Sequence, residues 1–211
     1  MTTFAKNMTC CSVCGSAVES TVVISTNSFG ASDLDMRPAP MMRWLINTWV
    51  QKCPECGYAA QNINDPCPVS RYFLNTESYK TCAGIKFKGD LPIAFFQQAM
   101  IAHDAKKTEE EFNALKYAAW ACDDLGDSEN AVKMRSMALV PLERLLQNKH
   151  KDDMFIVHAD MMRRAGLFSR VIFEYENKEL EDELLNQLLH FEVQKAHEED
   201  DAVYKVSDVR E

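Results

Sequence analysis

Two cysteine pairs constrain the fold of this chain more than any other feature of its sequence. They are Cys11-Ser-Val-Cys14-Gly15 and Cys53-Pro-Glu-Cys56-Gly57. In a CxxCG knuckle two thiolates lie on one side of a tight turn, and the glycine relaxes the backbone so that amide N–H groups can point at sulfur. Two knuckles complete a tetrahedron, so we predict that one metal ion is bound by Cys11, Cys14, Cys53 and Cys56.

The donor set indicates which metal this site would hold. Four thiolates suit Zn²⁺, and an all-sulfur tetrahedral site has no open position for substrate, so we expect a structural zinc ion. Iron is the rival metal, because Cys53-Pro-Glu-Cys56-Gly57-Tyr58 also resembles a rubredoxin knuckle. Cys10 could replace Cys11 as a ligand, but it breaks the CxxC spacing. We interpret Cys67, Cys82 and Cys122 as buried or incidental thiols.

The N-terminal sequence and the charge distribution limit the compartment and the kinds of partner that this chain is expected to have. The first ten residues lack the apolar segment of a secretory signal, and no stretch is apolar enough to span a bilayer, so we expect a cytoplasmic protein without membrane contact. Reduced cytosolic thiols favour metal ligands over disulfides. Residues 1–89 carry a net charge of +2 and residues 90–211 one of −11, which together give the −9 of the whole chain. Such an acidic surface argues against nucleic-acid binding.

The sequence pattern changes along the chain. Residues 21–26 and 45–52 are rich in β-branched and aromatic types and predict strands, and residues 60–68 are rich in turn formers. From Leu91 onward apolar residues recur every three to four positions. This spacing predicts an all-helical second half, with helices at 91–106, 109–125, 128–148, 152–165, 167–176 and 178–199.

The helical half carries an internal repeat. Gly89, Gly126 and Gly166 each stand five residues before a small or β-branched residue, at spacings of 37 and 40 residues. Each glycine would end a helix at the turn of a hairpin. The pattern resembles a tetratricopeptide repeat, although Val171 replaces the expected alanine. We predict an α+β, mostly α fold: a zinc ribbon over 1–68, tetratricopeptide-like hairpins over 69–202 and a tail over 203–211.

A wider resemblance supports this architecture. The loop Asp33-Leu-Asp35-x-Arg37-Pro38, together with the two cysteine pairs, is similar to an uncharacterised bacterial domain-of-unknown-function family. That family joins a split zinc ribbon to tetratricopeptide-like helices, and the resemblance covers about residues 10–175. It implies the architecture and no activity.

Function is expected to lie in binding and not in catalysis. No phosphate-binding loop, nucleophile elbow or HExxH motif is present in the sequence. We expect a non-enzymatic scaffold that binds a basic protein or peptide. The alternatives are an iron electron carrier and a nucleic-acid-associated ribbon. Local turn hydrogen bonds could instead explain the loop residues, and Trp120 could be core. The candidate contact residues are Asp33, Asp35, Arg37, Lys116, Tyr117 and Trp120.

Two polar segments have simpler interpretations. His158 and Asp160 stand close together on a predicted helix and are expected to face solvent. The acidic run at residues 197–201 is expected to fray into a solvated tail.

Overall fold

A computed structural model describes residues 2–148 and 152–209 of the chain. The architecture is α+β and mostly α, with short strands and the cysteine pairs preceding the helices, as predicted. Within the described ranges, no helix combines the length and apolarity needed to cross a lipid bilayer.

The N-terminal part consists of two antiparallel hairpins. The first pairs β1 (Thr3–Cys10) with β2 (Ala17–Ser25), and the second pairs the two-residue strands β3 (Gln51–Lys52) and β4 (Ala59–Ala60). The predicted strand at 21–26 belongs to β2, but the sequence analysis missed β1. In each hairpin a cysteine knuckle forms the turn between the two strands.

The strand predicted at 45–52 is wrong over most of its length. Residues Met42–Thr48 form a 3-10 helix, and extended structure begins only at Gln51. Leu45 and Ile46 are both buried although they are consecutive. Consecutive residues of a strand point to opposite faces, whereas neighbouring residues of a helical turn can both be turned toward the protein interior.

The six predicted helices are confirmed, with ends shifted by at most two residues except that the last begins at Glu183, five residues later than predicted. Two short helices precede them, and Ser70 and Thr76 cap these by accepting hydrogen bonds from backbone N–H groups. The eight α-helices of the described ranges are α1 (Arg71–Leu74), α2 (Glu77–Lys80), α3 (Asp90–Asp104), α4 (Thr108–Asp124), α5 (Ser128–Asn148), α6 (Asp152–Arg163), α7 (Phe168–Tyr175) and α8 (Glu183–His197).

Two of the three repeat glycines form turns after helices. Gly126 and Gly166 have φ angles of +63° and +75°, a region that favours glycine. Gly89 differs, because its backbone is extended and it immediately precedes α3. A Cβ atom at Gly89 would lie 2.8 Å from Leu125 Cδ1, so this glycine permits a close approach and does not end a helix.

One hydrophobic core runs from the ribbon into the helices. Leu34, Ile46 and Ala59 belong to the same buried cluster as the apolar residues of α3 to α8. A smaller cluster around Cys11 and Cys53 also includes Ile101 of α3. The core therefore crosses the boundary drawn at residue 68.

The C-terminal segment packs against the loop between the two hairpins. The backbone N–H of Leu34 donates to Tyr204 O at 3.0 Å, and that of Val206 donates to Ser32 O at 3.0 Å. Asp200 accepts a hydrogen bond from the Tyr204 hydroxyl at 2.5 Å. The expected fraying after residue 197 is therefore not observed in the described part, residues 198–209.

His158 and Asp160 are buried, contrary to the expectation from sequence. His158 Nδ1 lies 2.6 Å from the Tyr175 hydroxyl oxygen, and Asp160 Oδ1 accepts from Arg163 at 3.0 Å. Arg163 also donates to Glu192 at 2.6 Å in the same fully buried cluster. Burial raises the pKa of Asp160 to about 6 and that of Glu192 to about 8, because desolvation favours the neutral carboxyl group.

Candidate metal centre

The first knuckle is built by backbone hydrogen bonds at the tip of the β1–β2 hairpin. The N–H of Cys11 donates to Ser16 O at 2.9 Å, and the N–H of Gly15 donates to Cys11 O at 2.8 Å. Gly15 has a φ of +77°, which lets the chain return toward β2. Both cysteine side chains therefore point to the same side of the turn.

The second knuckle repeats this geometry between β3 and β4. The N–H of Cys53 donates to Tyr58 O at 2.8 Å, and the N–H of Gly57 donates to Cys53 O at 2.9 Å. Gly57 has a φ of +73°. The Tyr79 hydroxyl of α2 donates to Gly57 O at 2.7 Å, so a helix supports this knuckle from outside.

The two knuckles face each other and bring four sulfur atoms together. The ligand atoms of Cys11, Cys14, Cys53 and Cys56 all lie within 4.8 Å of one another. Two cross-knuckle distances, Cys11 Sγ to Cys56 Sγ and Cys14 Sγ to Cys53 Sγ, are 3.6 Å. Zn–S bonds of about 2.3 Å in a tetrahedron place sulfurs about 3.8 Å apart, so the residues fit a metal ion bound by four thiolates.

The electrostatic environment differs among the four thiols. Hydrogen bonds from the side chain and backbone of Ser16 lower the pKa of Cys14 to about 6. Burial raises the pKa of Cys53 and of Cys56, and backbone N–H groups of the knuckle oppose this effect by hydrogen bonding to their sulfurs. A bound cation would hold all four as thiolates.

The other cysteines lie outside this group. Cys10 is exposed, Cys67 is half-buried, and Cys82 and Cys122 are buried. Burial raises the pKa of the Cys82 and Cys122 thiols, as expected for inert core residues.

The predicted loop residues are buried against the helices. Asp33 and Asp35 are 2% and 1% exposed, and Arg37 is 6% exposed. Asp33 accepts from Arg43 at 2.5 Å, while Arg37 donates to Asp124 at the end of α4 at 2.6 Å. The expected open polar contact surface is therefore absent from this segment.

Asp35 is the central acceptor of this loop. Its Oδ1 accepts from the Arg37 backbone N–H at 3.1 Å, and its Oδ2 accepts from Trp120 Nε1 at 2.6 Å and from Arg164 Nη1 at 3.1 Å. Arg164 also donates to Asp123 at 2.9 Å. The loop thus joins α4 to the end of α6.

The predicted helical contact residues lie in the same place. Trp120 is 2% exposed, and Lys116 places its Nζ 5.1 Å from the centroid of that indole ring. Tyr117 lies edge-on to Trp49 of the ribbon part, with ring centroids 5.2 Å apart. Burial lowers the pKa of Lys116. The structure brings the two predicted contact sets together within the chain, where Trp120 is hydrogen-bonded to Asp35 of the loop.

Sequence reasoning missed Arg135 and Arg164. Arg135 pairs with Asp123 beside Arg164. The signal available in the sequence was the acidic pair at the end of α4: Asp123 pairs with Arg135 and Arg164, and Asp124 pairs with Arg37. Charge spacing alone does not reveal which distant cations complete such pairs.

No protein-family model, curated protein or solved structure matches this chain.

Proposed function

We propose that this protein is a non-enzymatic interaction module whose fold is held together by a structural zinc ion. The observation that carries the proposal is the convergence of four cysteine sulfurs within 4.8 Å. Four thiolates fill every position of a tetrahedral metal, which leaves no site for water or substrate. The metal therefore acts on folding.

The position of the site indicates what the metal stabilises. Its ligands hold both ends of the segment between Cys14 and Cys53, and the middle of that segment carries Asp35 into the helices. Fixing both ends lowers the entropy cost of placing the loop. Zinc binding to such sites is worth about 10–16 kcal/mol in isolated peptides, enough to order a module of this size.

The helical part supplies the surface for a partner. Residues 90–211 carry a net charge of −11, so we expect a basic protein or peptide whose association slows as salt is added. Repeat proteins built from stacked helical hairpins bind other proteins on extended concave surfaces. Iron in the same site, or nucleic-acid binding, would overturn this proposal.

Metal analysis combined with co-purification tests the proposed function. The tagged chain is purified from the organism that encodes it, and its metal content and bound proteins are measured on one sample. We expect colourless protein with one zinc ion per chain and a stoichiometric basic protein. Cys53→Ser should lose both, whereas Cys10→Ser, at an exposed cysteine outside the tetrad, should lose neither.

Three outcomes would overturn it. Red, iron-loaded protein that accepts one electron reversibly would indicate an electron carrier. A nucleic acid retained at physiological salt would indicate the ribbon alternative. Zinc-loaded protein that retains no protein partner after crosslinking would remove the interaction role.

A further inference from the structure

An apolar groove lies between α3 and α5, and its floor is α4. α3 and α5 each pack on α4 and leave an open cavity of about 410 Å³ between them. We call it the α3–α5 groove. Its lining is mainly aliphatic and aromatic and includes Phe96, Ala99 and Met100 of α3, Leu115 of α4, and Met137 and Val140 of α5.

The groove has a buried floor and an exposed apolar wall. Phe96, Ala99 and Leu115 are buried, whereas Met137 and Val140 of α5 are 38% and 51% exposed. The volume and the apolar lining are those of ligand-binding clefts, which measure about 300–1,000 Å³. Met137 and Val140 are three residues apart on α5, so their exposed apolar side chains lie on one face of the helix beside the cleft.

The polar side chains of the groove are one histidine and two carboxylates. His103 Nδ1 lies 2.8 Å from Glu111 Oε1, and Asp104 lies beside this pair. Among the described residues that line the groove there are two carboxylates and no lysine or arginine.

We propose that the α3–α5 groove binds an amphipathic helix of a basic partner protein, an inference that rests on the proposed interaction function. The lining residues of α3 run from Phe96 to Asp104, which at about 1.5 Å per residue gives about 12 Å, or two helical turns. Apolar residues of the partner at i, i+3 and i+4 would contact Leu115, Met137 and Val140. A lysine or arginine on its flank would approach Asp104 and Glu111. The same carboxylates disfavour phosphate-bearing ligands such as lipid head groups.

Two synthetic helices test this proposal with the intact, zinc-loaded chain. One is a peptide of about 14 residues, four turns, with leucines at helical i, i+3, i+4 and i+7 spacing and lysines elsewhere. The other replaces every lysine with glutamate. Fluorescence anisotropy should show saturable binding of the lysine peptide that weakens with salt, and binding of the glutamate peptide weaker by about tenfold or more.

Matched variants on α5 locate the binding site. Met137→Lys places a cation in the groove and should weaken binding of the lysine peptide by about tenfold or more. Val132→Lys is the control, because Val132 is also on α5 and 38% exposed but does not line the groove. Both variants should retain the helical spectrum and zinc content of the parent.

The outcomes separate this proposal from the proposed function. Equal binding of both peptides, no binding of the lysine peptide, or equal weakening by the two variants would overturn the groove assignment. If Met137→Lys still retains the native partner, the interaction function stands and its surface lies elsewhere. If the groove binds the peptide but the chain captures no partner, the proposed function fails while the groove remains a binding site.

Discussion

Replacing Asp35 with alanine should strongly destabilise the protein although the residue lies in a loop. The carboxylate is 1% exposed and accepts hydrogen bonds from Arg37 N, Trp120 Nε1 and Arg164 Nη1. Asp35→Ala leaves the buried indole N–H without an acceptor, which costs about 1–3 kcal/mol. It also removes one partner of a buried ion pair, a change worth about 3–5 kcal/mol when the remaining charge is stranded.

Arg164 reduces this cost because it keeps a second carboxylate partner. Its Nη2 still donates to Asp123 at 2.9 Å, so the guanidinium group is not stranded. We therefore expect Asp35→Ala to lower the free energy of unfolding by about 3 kcal/mol, at the lower end of the range for a broken buried pair. That is a large share of the roughly 5–15 kcal/mol that stabilises a typical domain.

Urea unfolding of zinc-loaded protein, followed by far-UV circular dichroism, measures this loss. Glu19→Ala is the control, because its ion pair with Lys6 is exposed and should contribute under about 1 kcal/mol. Trp120→Phe alone and together with Asp35→Ala completes a double-mutant cycle. The Asp35–Trp120 pair should couple by about 1 to 3 kcal/mol. A loss below about 1 kcal/mol for Asp35→Ala, or no coupling, would refute the view that this loop is fixed in the helical core.

Three further predictions follow from the core and the metal centre. Cys53→Ser should lower the zinc content and expose residues 10–60 to protease, whereas Cys10→Ser should do neither. Limited proteolysis with mass spectrometry measures the exposure. A Cys53→Ser protein that stays protected and zinc-loaded would reject the ligand assignment. Removing the metal with a chelator should lower the melting temperature of the helices as well as that of the ribbon, because both share one hydrophobic core. An unchanged helical transition would mean that the helices fold independently. The pKa of Glu192 is raised from 4.5 to about 8, so the native state binds this proton more tightly than the unfolded state does. The contribution of Glu192 to stability should therefore fall as pH rises from about 5 to 8. Glu192→Gln should flatten that fall in pH-dependent unfolding, and an equally steep curve in the variant would contradict the assignment.

Local patterns in the sequence were sufficient for several parts of the structure. The CxxCG spacing identified four cysteines that converge, because a knuckle is formed by hydrogen bonds within six consecutive residues. Periodic apolar residues predicted all six long helices, since one buried face is a property of each helix by itself. Gly126 and Gly166 were recognisable as helix-ending turns for the same local reason.

Other features depended on residues far apart in the chain, and tertiary structure decided them. Ile46 has high strand propensity, but contact with a core built by the helices favoured a 3-10 turn. His158 and Asp160 were expected in solvent, and they are buried because Tyr175 and Arg163 satisfy them. The C-terminal segment was expected to be a tail, and its backbone instead pairs with residues 32–34.

The sequence by itself determined the two cysteine knuckles and the helical class, because each rests on contacts between near neighbours. Only the tertiary structure decided that Asp35 and Trp120, separated by 85 positions, are partners of each other. A buried carboxylate must find donors somewhere, but composition cannot say which ones. The same physical reason explains the α3–α5 groove: each helix carries a readable apolar face, and only packing determines which part of that face stays uncovered.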